Sequence, residues 1–165
     1  MIHSLLTKLD TYFNFSNVEA HCDIPCKIYD PMKAQLAALS VIRFLDLIEE
    51  LNQQETSLAQ QAQLIRLINE KEQHAEQVKH EVRVIWGDYF KQAQIAQFPD
   101  IHTTVHNIML SASACKQHTS RQNGETLLQQ VNDFAATFWQ TKQVNTYIAT
   151  CPYPPSEKVV YPDLK

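Results

Sequence analysis

Glycine is scarce in this sequence, with two residues in a chain of 165. Glycine supplies the positive φ angles of tight turns and phosphate-cradling loops, so its scarcity argues against β-barrels, phosphate loops and dinucleotide-binding turns. An excess of basic residues is also missing, because the formal charge at pH 7 is -4. We therefore do not expect nucleic acid as a partner, since no overall positive field would attract it.

Long apolar runs are missing as well. No stretch approaches the roughly 20 residues that a membrane span needs, and residues 1–20 lack the basic start and unbroken apolar centre of a secretory signal. We expect no membrane partner and a cytoplasmic location. The four cysteines do not look like a secreted disulfide framework. In a reducing cytosol, a close pair of cysteines more often indicates metal or redox chemistry.

What is abundant favours helices, because Gln, Ala, Leu, Glu and Lys are common and four stretches carry helical apolar periodicity. The first stretch opens at Asp30-Pro31, an acidic N-cap followed by proline at the first helical position. The second carries a long stripe from Leu58 to Tyr89, the third follows Pro99, and the fourth follows a break at Asn123-Gly124. Steps of three and four residues predict an all-α fold, an antiparallel up-and-down four-helix bundle over residues 31–150.

Two segments depart from these apolar stripes. Glu70–Glu76 is rich in charge and is expected to be a solvated face of the second helix. Residues 151–165 hold four prolines and cannot be helical. We predict that this tail is an extended Pro-rich strap lying on the bundle or on a neighbouring subunit. A floppy end is the alternative, although Val159 and Val160 make the tail more apolar than disorder usually allows.

The segment His21-Cys22-Asp23-Ile24-Pro25-Cys26 lies between a leader and the first helix, on no helical stripe. Cysteines four residues apart in a loop can both reach one metal ion, and two thiolates with an imidazole suit soft or borderline metals. A structural zinc site would need a second ligand pair, which is not found elsewhere in the sequence. A reversible disulfide normally has two intervening residues. These two sites, and ordinary free thiols, stay open as alternatives to a metal-binding hook.

Residues 21–31 resemble the nickel hook of the nickel superoxide dismutases, whose pattern is His-Cys-x-x-Pro-Cys-Gly-x-Tyr-Asp-Pro. The resemblance extends over about residues 20–142, and the leader and tail look like those of the longer, cyanobacterial-type members. Four later runs carry it: Lys71–Glu76, Trp86–Lys91, Phe98–His102 and Phe138–Lys142.

The resemblance implies how the site is made. A processing protease would remove leader 1–20, so that His21 becomes the N-terminus of a hook over residues 21–30. The α-amine of His21, the backbone amide of Cys22 and the thiolates of Cys22 and Cys26 would then hold one nickel ion in a square plane. The His21 imidazole would bind axially to Ni(III). An uncut chain would lack the amine ligand.

The resemblance also implies an activity: disproportionation of superoxide to hydrogen peroxide and dioxygen by Ni(II)/Ni(III) cycling, in a homo-oligomer, expected to be a homohexamer. Two other interpretations stay open. The chain could be a non-catalytic helical bundle that binds or senses nickel or copper through the same hook. It could also be a structural bundle whose hook is incidental. The N-terminus discriminates among them, because only the enzyme requires His21 to become the first residue.

Supporting residues follow from the same resemblance. Tyr29 and Tyr89 match family tyrosines whose hydroxyls crowd the open face and gate small anions, with an ordinary packing aromatic as the alternative for each. Asp23 and Pro25 are expected to shape the loop through turn hydrogen bonding and a fixed φ. Lys91 is expected either to steer superoxide or to be an ordinary exposed lysine.

Three positions depart from the family pattern. Lys27 stands where glycine is common; a positive φ there would cost about 1 kcal/mol or more, whereas the charge would favour an anionic substrate. Ala37 and His74 stand where some members have a Glu and an Arg beside the axial imidazole. His74 could act as a substitute hydrogen-bond partner or be a solvated helix histidine.

Overall fold

The computed structural model describes residues 27–53 and 57–165, so the predicted leader and the predicted ligands His21, Cys22 and Cys26 lie outside the described residues. Within those two ranges the chain is mostly helical, as predicted, and it also contains a two-stranded sheet that the expected all-α fold did not include. The helices are α1 (Met32–Asn52), α2 (Leu58–Val84), α3 (Gln92–Gln97), α4 (Ile101–Gln117) and α5 (Arg121–Thr141). A π-helical turn, Ile85–Tyr89, follows α2, and the strands are β1 (Thr146–Thr150) and β2 (Lys158–Pro162).

Side-chain caps explain where the first two helices begin. Asp30 Oδ1 accepts a hydrogen bond of 2.8 Å from the Met32 amide, and Pro31 directly precedes the first helical residue, so the helix begins one residue later than the sequence predicts. The Ser57 hydroxyl accepts from the Gln60 amide at 3.3 Å at the start of α2. Both caps satisfy backbone N–H groups that have no partner within the helix.

The four long helices surround the core. Helix α1 packs against α2 and α5, and α4 packs against the same two helices. The apolar stripe of α2 is buried in its C-terminal half, at Ala75, Val78 and Val82. Its N-terminal half is not, because Leu58 is 84% exposed and Ile65 is 60% exposed. The sequence pattern therefore overestimated how much of α2 the other helices cover.

Gly124 lies inside a helix and marks no break. Helix α5 begins at Arg121, three residues earlier. A Cβ atom at position 124 would lie 2.9 Å from Ile42 Cγ1 and 3.0 Å from Leu45 Cδ1. Glycine permits this close approach of α5 to α1, so the expected break at Asn123-Gly124 is corrected to a helix-packing contact.

Lys71 corrects the expectation that Glu70–Glu76 is a solvated face. Glu70, Gln73 and Glu76 are exposed, but Lys71 is buried at 1% exposure. Its Nζ donates hydrogen bonds of 3.0 Å to the carbonyl oxygens of Lys116 and His118 at the end of α4. The ammonium therefore satisfies carbonyl groups that a helix C-terminus leaves without partners.

The two strands form an antiparallel hairpin in which Ile148 lies opposite Val160. Within residues 151–165, β2 packs on the helices with Val159 and Val160 buried. Asn132 Oδ1 accepts from the Val160 amide, while Gln35 Nε2 donates to the Val160 carbonyl. The expected boundary at residue 150 falls at the end of β1, so it divides the hairpin.

No helix among the described residues is long and apolar enough to cross a bilayer.

Candidate metal centre

Two of the five predicted site residues are described, and the structure brings them together. Tyr29 precedes α1 and Tyr89 ends the π-helical turn, 60 residues later in the chain. Their ring centroids are 5.9 Å apart with the ring planes tilted by 53°. Both rings are half-buried and pack on the hydrophobic core. The other three, His21, Cys22 and Cys26, lie outside the described residues, as do Asp23 and Pro25.

The π-helical turn is what places Tyr89. Ile85 and Phe90 are buried at its two ends, and the Phe90 amide donates to the Ile85 carbonyl over 3.4 Å. Lys91 Nζ donates to the Gly87 carbonyl at 2.9 Å and so closes the same turn. Single π-helical turns occur frequently at functional sites. Tyr89, the predicted gating residue, is the last residue of this turn.

A chain of hydrogen bonds fixes the direction of the Tyr89 hydroxyl. Thr141 Oγ1 lies 2.6 Å from the Phe138 carbonyl oxygen and 2.6 Å from the Tyr89 hydroxyl oxygen. A carbonyl can only accept, so the single threonine proton points to Phe138. Tyr89 must therefore donate its own proton to Thr141. The Tyr89 oxygen is left as a hydrogen-bond acceptor toward any further partner.

One positive charge lies over the ring of this tyrosine, in a chain whose net charge is negative. Lys142 Nζ lies 4.7 Å from the centre of the Tyr89 ring and 5.1 Å from that of Phe138. Lys142 is exposed, so the ammonium keeps its contact with water while it lies over the two rings. Sequence reasoning proposed Lys91 for this role and missed Lys142 and Thr141. The signal was present, since both end the run Phe138–Lys142.

Lys27 has a backbone φ of 60°, in the left-handed region. This is the position where the resembled family commonly has glycine. A side chain there costs about 1 kcal/mol, so the chain carries lysine where its conformation favours glycine. The Lys27 side chain is exposed and lies two residues before Tyr29. Lys27 therefore adds a positive charge near Tyr29, and its backbone conformation is less favourable than it would be for glycine.

Ala37 and His74 stand at the two positions where some family members have a Glu and an Arg beside the axial imidazole. This chain therefore has no carboxylate or guanidinium at either position. Ala37 is buried in the core at 3% exposure. His74 Nδ1 lies 2.8 Å from the Glu70 carbonyl oxygen, and its ring centroid is 5.2 Å from that of Phe44. Because a carbonyl can only accept, His74 Nδ1 is the donor of this hydrogen bond.

Neither of the two cysteines in the described residues belongs to a group of side chains that could hold a metal ion. Cys115 and Cys151 are buried and free. Burial raises the pKa of Cys115 to about 11, so its thiol stays protonated near neutral pH, whereas the thiolate is the metal ligand. Across residues 27–53 and 57–165, no three His, Cys, Asp or Glu side chains are grouped so that they could hold a metal ion.

Comparison with known proteins decides the family. The family model for nickel-containing superoxide dismutase matches residues 16–142. The chain belongs to the nickel-containing superoxide dismutase family. It is 37% identical to the nickel superoxide dismutase of Streptomyces seoulensis and 33% identical to that of Streptomyces coelicolor, over 126 residues in each case. Each alignment covers 76% of this chain and 91% of the relative.

The solved structures agree with this assignment. A crystal structure of a nickel-containing superoxide dismutase, with the nickel ligation found after partial X-ray-induced reduction, superposes with a TM-score of 0.66 at 35% identity. The superposition covers 74% of this chain and 99% of that one. As a member of the family, the chain is a superoxide dismutase with nickel as its cofactor and superoxide as its substrate. The matched region ends at Lys142, before the hairpin.

Proposed function

We propose that His21, Cys22 and Cys26 bind the nickel ion of this dismutase, after cleavage between Ala20 and His21. Two thiolates, the α-amine of His21 and the backbone amide of Cys22 make a donor set of the kind that square-planar Ni(II) takes. The observation that carries the proposal is the pairing of Tyr29 with Tyr89 at 5.9 Å. Tyr29 follows Cys26 by three residues in the chain. The Cα atoms of Cys26 and Tyr29 can therefore be no more than about 11 Å apart.

When bound, nickel supplies the one-electron exchange that takes an electron from one superoxide and gives an electron to another. The protein side chains bring the substrate to the centre and control its protons. Lys142, over the Tyr89 ring, and the exposed Lys27 attract the superoxide anion. Tyr89 holds its own proton toward Thr141, so its oxygen accepts a hydrogen bond from water or from the protonated product.

The leader makes the chain a precursor in this proposal. While Ala20 is attached, the nitrogen of His21 belongs to a peptide bond and is no amine ligand. Residues 1–20 are the removed leader, residues 21–30 the hook, residues 31–150 the helical body and residues 151–165 the tail. A protease is accordingly a required partner, and we place the enzyme in the cytoplasm.

The test compares two chains loaded with nickel, one beginning at Met1 and one at His21. We expect superoxide removal only from the shorter chain, and a native metal-loaded protein whose first residue, by mass spectrometry, is His21. Cys22→Ser and Cys26→Ser should each lower activity by more than about a hundredfold, since each removes a thiolate donor. Cys151→Ser is the control, because Cys151 is buried and binds the Tyr153 carbonyl.

Three results would contradict the proposal. One is a fully active native protein that retains its leader, and another is activity that survives either hook substitution. The third is a His21 chain that binds nickel tightly without turnover, which would favour a binding or sensing protein.

We further propose that the four long helices form the antiparallel up-and-down bundle and that six subunits assemble. The cyclic packing of α1, α2, α4 and α5 supports the bundle. The exposed apolar side chains Leu58, Ile65 and Leu110 offer surface that a neighbouring subunit could cover. Sedimentation at six times the mass of the chain is the expected result, and a monomer would contradict it.

A further inference from the structure

The β1–β2 hairpin lies beyond the matched family region and has an outer strand that is open to solvent. The family match ends at residue 142, and β1 begins at Thr146. Strand β2 is covered by the helices, with Val159 and Val160 buried. In β1, by contrast, Tyr147 is 53% exposed and Ile148 is 66% exposed. Within the described parts of the chain, β1 pairs with β2 and with no other strand.

The hydrogen-bond pattern shows which backbone groups face outward. The Val160 amide and carbonyl bind the side chains of Asn132 and Gln35, so they point away from β1. In an antiparallel pair, such an outward position alternates with inward ones, and its partner also points outward. Ile148 is the partner of Val160. Its N–H and C=O therefore point away from β2, toward the open edge.

The same alternation applies along the whole strand. Two backbone hydrogen bonds beyond the ends of the strands, from Cys151 to Glu157 and from Asp163 to Asn145, occupy inward positions. Thr146 and Thr150, at even spacing from Ile148, share its outward direction. The open edge of β1 thus presents the N–H and C=O groups of three successive outward residues.

We propose that this edge pairs with β1 of a second copy of the chain, antiparallel and about a twofold axis at Ile148. The two Ile148 residues would exchange both N–H···O bonds with each other. Thr146 of one copy would do the same with Thr150 of the other. The two hairpins would then form one continuous four-stranded sheet, and every outward backbone group of β1 would have a partner.

A second copy is the occupant that the sequence of β1 fits. Thr146–Thr150 carries no charge, so antiparallel self-pairing places no like charges opposite each other. Its pattern is also nearly symmetric about the centre, with threonine against threonine and Tyr147 against Ala149. Edge strands that stay unpaired usually carry charges or proline that block such pairing, and β1 has neither. The contact is independent of the nickel site and of residues 1–26.

Cysteine cross-linking of the full chain tests the register. In a hydrogen-bonded antiparallel pair the Cα atoms are about 5.5 Å apart, within disulfide range. Ile148→Cys should therefore give a covalent dimer under mild oxidation with diamide. Thr146→Cys is the matched control, because the two copies of residue 146 would be about 14 Å apart. A mixture of Thr146→Cys with Thr150→Cys should cross-link, and the parent chain on the same gel reports any dimer from the native cysteines.

Equal cross-linking of Ile148→Cys and Thr146→Cys would show random collision and overturn the proposal, as would no cross-link in either. A second measurement needs no cysteine. The Ile148 amide should exchange slowly with deuterium in the parent chain, and fast in Ile148→Lys, which would place two like charges directly opposite each other across the pair. Leu164→Lys, at a residue that is 74% exposed beyond the sheet, should leave that exchange slow. Fast exchange of the Ile148 amide in the parent chain would also overturn the proposal. Slow exchange of residue 148 in Ile148→Lys would do so as well, because it would show that something other than a second β1 strand covers this edge.

Discussion

The Tyr89 hydroxyl donates its proton to Thr141 Oγ1 over 2.6 Å, because the threonine proton is committed to the Phe138 carbonyl. The oxygen that Tyr89 turns toward other partners is thus an acceptor, although a tyrosine hydroxyl can play either part. A residue of helix α5 thereby fixes the direction of the Tyr89 hydroxyl proton, although Tyr89 lies in a turn more than 50 residues earlier in the chain. The direction of this proton is set by the protein and not by whatever binds next to it.

Thr141→Val keeps the shape of the side chain and removes the acceptor of the Tyr89 proton. A lost hydrogen bond of this kind is worth about 0.5–1.5 kcal/mol, so we expect kcat/KM for superoxide to fall between about twofold and tenfold. Pulse radiolysis on nickel-loaded protein measures it. Thr137→Val is the control, since Thr137 donates only to the Asp133 carbonyl one turn earlier on α5. Equal activity of the two variants would contradict a role for the Tyr89–Thr141 bond.

Asn132→Leu should detach the hairpin from the helices. Asn132 accepts from Gln35 Nε2 and the Val160 amide, and its Nδ2 donates to the Lys158 carbonyl at 2.9 Å. Leucine leaves the buried Val160 amide without its partner, which costs about 1–3 kcal/mol, and it removes one hydrogen bond each from Gln35 Nε2 and the Lys158 carbonyl. We expect faster deuterium exchange throughout β1 and β2. Gln129→Leu, at an exposed residue bonded to Asp133, should leave exchange unchanged. Unchanged exchange in Asn132→Leu would show that Val159 and Val160 hold the hairpin alone.

Local patterns in the sequence were enough for the helices and their caps. Asp30-Pro31 predicts the start of α1, and the spacing of Ala75, Val78 and Val82 predicts the buried face of α2. These features depend on neighbours within one or two turns, which the sequence displays directly. The motif at residues 21–31 indicated the family that the comparisons then showed. Only the resemblance to the family predicted that Tyr29 and Tyr89 would lie at one site.

Features that depend on distant contacts were not predictable. Asn123-Gly124 looks like a turn, but Gly124 is needed where α5 approaches Ile42. Lys71 looks solvated until the end of α4 is placed beside it. The hairpin was missed because Thr146–Thr150 is short and its partner is separated from it by a proline-rich loop. In each case, tertiary contacts decided against the local pattern.

Lys71→Met should destabilise the fold although it removes a buried charge. Burial lowers the pKa of Lys71, because the charged ammonium is less favourable away from water. The carbonyl oxygens of Lys116 and His118 nevertheless both accept hydrogen bonds from its Nζ. Leaving them without a donor should reduce the free energy of unfolding by about 1–3 kcal/mol at pH 7. Urea denaturation followed by circular dichroism measures this. Lys79→Met, which loses only a bond to the Ser113 hydroxyl, should cost less than about 1 kcal/mol. A Lys71→Met variant as stable as Lys79→Met would show that water reaches those carbonyls.

Cys115 should make the fold less stable at high pH. Burial raises its pKa from 9.0 to about 11. Between these values the unfolded chain binds fewer protons at this site than the folded chain does, so stability falls as the pH rises. Relative to Cys115→Ala, the parent chain should lose about 2 kcal/mol of unfolding free energy between pH 8 and pH 11. Urea denaturation of both chains at several pH values gives the difference. A constant difference across this range would show that Cys115 does not titrate differently in the two states.

Lys142→Met should slow the capture of superoxide at low salt. The Lys142 ammonium lies 4.7 Å from the centre of the Tyr89 ring and adds positive charge where an anion must approach. Losing one steering charge should lower kcat/KM by about twofold to threefold in dilute buffer, and the difference should disappear near 0.5 M salt, where charges are screened within about 4 Å. Lys142→Arg keeps the charge and should retain the rate. Lys158→Met, an exposed lysine at the opposite end of the hairpin, should behave like the parent chain. A loss in Lys142→Met that salt does not alter would instead assign Lys142 to packing on Tyr89 and Phe138.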